Sequence, residues 1–125
     1  MTPLEYQNDV ERTALHPVNM ELDKAEHDLL HFGLGISTEA GELLDALKKS
    51  WFYGKPLDLV NIREELGDLL WYIAALHQRM GWDMELTMEA NIAKLRKRYP
   101  EKFTKADALN RDLEAERDQL ELDLT

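Results

Sequence analysis

The chain contains no cysteine, which removes disulfide scaffolds, thiolate metal sites and cysteine nucleophiles together. Proline and glycine are scarce, four and six among 125 residues. No stretch sustains the period-two alternation that a half-buried strand requires. Long apolar runs are missing as well. The longest, Leu69 to Leu76, has eight residues, far short of the roughly 20 needed to cross a bilayer. The opening Met1-Thr2-Pro3-Leu4-Glu5 lacks the basic start and apolar stretch of a signal peptide. Positive charge is in deficit: 15 Lys+Arg stand against 25 Asp+Glu, a formal net charge of −10. Such a balance argues against gripping nucleic-acid phosphates and against adhesion to an anionic membrane. Neither a G-x-x-x-x-G-K-[ST] phosphate loop nor a G-x-S-x-G nucleophile motif occurs. The expectation is a cytoplasmic protein with no nucleic-acid and no membrane partner.

What is present is helical. Apolar residues make up 44% of the chain, enough for a core in one domain of this length. The punctuation predicts an all-α bundle of about five helices. Pro3 suits the first turn of a helix from about Leu4 to Leu15, before the His16-Pro17 break. A second begins near Leu22, runs through Glu26–His31 and is expected to loosen at Gly33 and Gly35, with Ser37 or Thr38 starting the next turns. A third holds Glu39 to Ser50 and stops at Trp51-Phe52-Tyr53-Gly54-Lys55-Pro56. Asp58 caps a fourth, Leu59 to Met80, closed by Gly81, and Asp83 begins a fifth that ends before Tyr99-Pro100. The composition then shifts. Residues 1–105 read as a single domain, and 106–125 as an acidic helical arm that either packs on a partner subunit or frays.

Two helices repeat one pattern. Glu39-Ala40-Gly41-Glu42-Leu43-Leu44 returns 26 residues later as Glu65-Leu66-Gly67-Asp68-Leu69-Leu70. Positions three apart share one side of a helix, so Glu39 and Glu42 point together, as do Glu65 and Asp68. On a helical wheel the first pair borders the stripe of Leu43 and Leu47, and the second borders that of Leu69 and Ile73. Stripes that face one core bring four carboxylates to its margin. There they repel one another and raise their own pKa values, a penalty that bound cations remove. Hard oxygen ligands suit Mg²⁺, with Mn²⁺ as a substitute. Mid-helix Gly41 and Gly67 each cost about 1 kcal/mol relative to alanine, which close packing or metal access would offset.

Glu39-x-x-Glu42 followed by Glu65-x-x-Asp68 resembles the E-x-x-E…E-x-x-D signature of the all-α nucleoside triphosphate pyrophosphohydrolases, in their small MazG-like branch. The resemblance spans about Leu29 to Pro100. It implies a helical core assembled as a homodimer or homotetramer, and Mg²⁺-dependent hydrolysis of standard or modified NTPs or dNTPs to monophosphate and pyrophosphate. A nucleotide-pool housecleaning role comes with it, and a dUTP/dCTP-type or phosphoribosyl-ATP substrate is the near alternative. By the same resemblance Glu39, Glu42, Glu65 and Asp68 hold metal, while Glu64 does not fit the spacing. Asn91-x-x-Lys94-x-x-x-Arg98 resembles the family's basic segment that meets the triphosphate. Lys94 and Arg98 share a helix face and would stabilise the leaving pyrophosphate, although cations in a last helical turn also favour the dipole. The general base is left open, with Glu42 as first choice.

Other signals compete. Asp28-x-x-His31, with His27, offers one fragment of a ligand set where a di-iron bundle needs paired Glu-x-x-His motifs, so a helix-surface or core-edge place is expected for both histidines. Trp51, with Phe52 and Tyr53, either stacks a base near the site or plugs the bundle end. Gln7 and Asn8 are candidates for reading a base only through the resemblance. From another class, a non-enzymatic helical interaction module would use its acids merely for solubility.

Overall fold

A computed structural model describes residues 1–14 and 21–122, and the described residues form six helices without strands. Helix α1 spans Pro3–Thr13, α2 Lys24–Tyr53, α3 Leu59–Met80, α4 Met84–Arg98, α5 Lys105–Leu109 and α6 Leu113–Glu121. The expected end of α1 at Leu15 and the His16-Pro17 break lie outside the described residues. No described helix is long and apolar enough to cross a membrane.

Local chemistry sets the boundaries. Thr2 and Glu5 form a capping box ahead of α1, with Pro3 in its first turn, and Asp23 and Glu26 form another ahead of α2. Asp58 accepts hydrogen bonds from the Val60 and Asn61 amides, and Asp83 accepts one from Glu85. Gly54 and Gly81 end α2 and α3 at φ 64° and 66°, the left-handed conformation that glycine adopts without a Cβ penalty.

One expected boundary is absent. Residues Lys24 to Tyr53 form a single 30-residue helix straight through Gly33 and Gly35. The Thr38 hydroxyl donates back to the Gly35 carbonyl at 3.0 Å instead of capping a new helix. Two glycines at about 1 kcal/mol each do not break a helix whose flanking turns pack against a neighbour.

That neighbour is α3. The two helices run antiparallel, joined by residues 54–58. Asp28 pairs with Arg79, Gly35 meets Tyr72, and Glu39 meets Glu65 and Asp68, so numbers rise on α2 as they fall on α3. The second packed pair is α4 with α6. Burial within the chain is thin: Ala46 and Ala90 are the buried apolar residues among those described. Helix α1 buries none of its own.

The arm is fastened by a charged clamp. Arg98 Nε and Nη2 donate to the two Glu116 oxygens at 2.9 and 2.5 Å, and Arg111 donates to the same oxygens at 3.2 and 2.6 Å. Glu116 is 3% exposed. The Arg98 guanidinium first, and Arg111 second, hold its carboxyl well below the usual carboxylate range. A depressed folded-state pKa stabilises above the unfolded value, here 4.5, and that contribution drains as pH falls below it. Exchange of the α6 amides relative to their intrinsic rate, the inverse of their protection factor, is therefore expected to rise between pH 5 and pH 3 in the wild type. In Glu116→Gln it is expected to be fast already at neutral pH, with Tm lower by several degrees. A pH-independent α6 in the wild type would refute the clamp.

Candidate active site

The acid-x-Gly-acid echo lands on facing rungs of the α2–α3 hairpin. One carboxylate oxygen from each of Glu39, Glu65 and Asp68 lies within 4.8 Å of the others. Glu39 and Glu65 are half-buried, whereas Asp68 is exposed. Asn61, one turn before Glu65, donates from Nδ2 to its Oε1 at 2.5 Å and so orients that side chain. Desolvation pushes the Glu39 carboxyl above its ordinary value, and the charges of Asp68, Glu65 and Glu42 push the same way. Three converging carboxylates, one of them pushed towards its protonated form, make a donor set for a hard divalent cation, whose charge replaces the proton. The residues fit such an ion.

Glu42, the fourth acid of the signature, stands slightly apart. It is exposed and does not join the converging trio, although its charge acts on both Glu39 and Lys49. Glu64 is exposed. The glycines of the echo have no neighbour that requires them: a Cβ at Gly41 or Gly67 would meet nothing within 4 Å.

The basic segment lies on the other helix pair. Lys94 Nζ donates to Asn91 Oδ1 at 2.6 Å on the surface of α4. Arg98 is taken by Glu116 and lies against the Tyr99 ring, 5.8 Å from its centroid. Trp51 is 71% exposed at the end of α2, together with Phe52 and Tyr53, and Lys48 sits 5.9 Å from the Tyr53 ring. Gln7 and Asn8 lie exposed on α1.

The aromatic neighbours of the acids are different residues. One turn beyond Asp68, Tyr72 meets Trp71 edge-on at 5.0 Å and His31 at 6.1 Å. Phe32 stacks with His31 at 5.5 Å and meets Trp71 edge-on at 6.3 Å. Asp28 is committed to Arg79, so Asp28 and His31 do not act as a ligand pair. The sequence places Tyr72 at the border of the Leu69–Ile73 stripe, and position 72 lies four after Asp68, a spacing that would have flagged it. His31, eight residues before Glu39, carries the same signal more faintly.

The acid face is open. A cavity of about 460 Å³ lies elsewhere, where the end of α3 meets α4, lined by His77, Trp82, Leu86, Ala90 and, from the arm, Leu120. His77 is fixed there by the Ile73 carbonyl at 2.8 Å and the Thr87 hydroxyl at 3.0 Å.

A family model of the MazG nucleotide pyrophosphohydrolase domain matches residues 29–103, a span that contains the whole hairpin register from Glu39 to Asp68. No curated protein and no solved structure matches the chain.

Proposed function

Because the chain belongs to the MazG nucleotide pyrophosphohydrolase family, we propose that it hydrolyses nucleoside triphosphates, standard or modified NTPs or dNTPs, to the monophosphate and pyrophosphate. The observation that carries this reading is the convergence of Glu39, Glu65 and Asp68 within 4.8 Å. These three hold the divalent cation, Mg²⁺ in the cell, with Mn²⁺ as a working substitute. A cation bound there supplies neutralisation of the phosphate oxygens and a lowered pKa for bound water.

The protein's own groups do the rest. Glu42, exposed beside the trio, accepts the proton of the water that attacks phosphorus. The α–β anhydride bond breaks, and its electron pair leaves on the pyrophosphate. Lys94, in the segment that resembles the family's triphosphate-binding stretch, meets that pyrophosphate, its bond to Asn91 being at the surface and exchangeable. Arg98 is assigned to the arm, because Glu116 already uses its fork. The Tyr72–His31 cluster offers ring surface one turn from the acids for the base to stack on. Exposed Trp51 is a second such surface. A nucleotide-pool housecleaning role, exercised in the cytoplasm, is part of the same proposal and rests on the family resemblance.

The test incubates the protein with a panel of NTPs and dNTPs in Mg²⁺, Mn²⁺ or EDTA and quantifies pyrophosphate against orthophosphate. Pyrophosphate and monophosphate in equal amounts, abolished by EDTA, are the expected result. Orthophosphate as the main product would refute the bond assignment. No turnover of any nucleotide would favour the interaction-module reading.

A further inference from the structure

Three glycines sit inside α2, and two of them have room for a side chain: a Cβ at Gly33 or Gly41 meets nothing within 4 Å. Gly35 is different. It is buried, and a Cβ there would fall 2.2, 2.3 and 2.5 Å from Cε1, Cδ1 and Cζ of Tyr72. The ring therefore lies directly on the α2 backbone. Ordinary van der Waals contact begins near 3.4 Å, so a methyl group would force ring and helix apart by about 1 Å.

The ring also has aromatic neighbours on its other sides. Trp71 meets it edge-on at 89° and His31 at 70°, and Trp71 is itself backed by Phe32. Displacement of a ring seated on the α2 backbone bears on the separation of the two helices. Gly35 precedes Glu39 by one turn on α2, and Tyr72 follows Asp68 by one turn on α3. Spreading at this rung is thus transmitted to the carboxylates on the next. Their meeting within 4.8 Å depends on a close helix approach.

We propose that Gly35 is a positioning residue for the acid site. By letting the Tyr72 ring rest on its backbone, it sets the α2–α3 separation at which Glu39, Glu65 and Asp68 converge on one divalent cation. The inference rests on reading those carboxylates as a cation site. It explains why α2 tolerates a buried glycine in mid-helix, where alanine would ordinarily be the stabilising choice.

The test measures Mn²⁺ affinity by the electron paramagnetic resonance signal of the free ion, using the full chain. Wild type, Gly35→Ala, Gly33→Ala and the double variant Gly35→Ala/Tyr72→Ala are compared, with helix content checked by circular dichroism. Gly35→Ala is expected to lose about tenfold or more in Mn²⁺ affinity with helix content retained, and Gly33→Ala to match the wild type. Removing the ring in the double variant is expected to restore most of the loss, a coupling that simple destabilisation does not produce. If Gly35→Ala fails to fold, the double variant, in which the clash is gone, still reports: wild-type-like affinity supports the proposal and weak affinity overturns it. Unchanged affinity in Gly35→Ala, or a loss that Tyr72→Ala leaves in place, overturns it too. So does a wild type that binds no Mn²⁺. A wild type that binds Mn²⁺ but hydrolyses no nucleotide refutes only the pyrophosphohydrolase reading.

Discussion

Asp68→Asn and Glu39→Gln are each expected to abolish metal-dependent turnover and, without metal, to raise thermal stability. The two effects have one cause. Glu39 is pushed towards its protonated form by desolvation and then by the charges of Asp68 and Glu65, so the folded chain holds these acids together against their repulsion. Neutralising one relieves the strain in the metal-free protein and deletes a ligand from the loaded one. Removing a residue that merely supports a ligand typically costs 10–100-fold in affinity or activity, so removing the ligand itself should cost at least about 100-fold. Melting curves with and without Mn²⁺ separate the effects. Wild type should gain stability with added Mn²⁺ in proportion to the logarithm of its concentration, whereas both variants should start higher and gain little. Glu42→Gln is the informative contrast. Standing outside the trio, it should keep most of the Mn²⁺-dependent gain while losing turnover. A metal-free Asp68→Asn that melts below wild type, or that still responds fully to Mn²⁺, would contradict the assignment.

The contrast between Glu42 and the trio marks how far the sequence was legible. Spacing of three residues places Glu39 with Glu42, and Glu65 with Asp68, because that periodicity is internal to each helix. It carries no information on how α2 is rotated towards α3, and that rotation leaves Glu42 exposed while Glu39 turns inward. Caps were readable for the same local reason: Asp58, Gly81 and Asp83 satisfy their own helix ends. The continuity of α2 was not, since Gly33 and Gly35 look alike in sequence. Only Gly35 has its reason in a ring 37 positions away. Arg98 was ambiguous on similar grounds. A last-turn arginine suits both the helix dipole and a phosphate, and its partner Glu116 lies 18 residues downstream on an element recognised only by its composition.

A chain with this surface is expected to associate with copies of itself, and dissociating it should cost most of its stability. Its accessible area is 10564 Å², whereas a compact monomer of 14.6 kDa exposes about 6900 Å². The excess is roughly 3700 Å² per chain, more than the one-partner share of an obligate interface, and it includes the unpacked helix α1. Its arrangement is ordered. On α2, Leu30, Leu34, Leu44 and Trp51 are exposed along a stripe whose intervening steps of three and four fall at Ser37, Gly41 and Lys48. On α3, Leu59, Leu66 and Leu70 do the same. Gly41, without a neighbour in its own chain, lies within the first stripe, where a second helix approaching closely would make use of the missing side chain. We therefore expect sedimentation at micromolar concentration to give a homodimer or homotetramer. Leu44→Asp and Leu70→Asp, at positions 65% and 57% exposed, should shift it towards monomer. In a two-fold interface each substitution counts twice, and a buried leucine is worth about 2 kcal/mol. Kd should therefore rise on the order of 1000-fold, with a Tm that becomes strongly dependent on concentration. A wild type that sediments as a monomer, with a Tm independent of dilution, would refute this. It would also leave the apolar stripes of the hairpin that carries the acids without the cover their exposure demands.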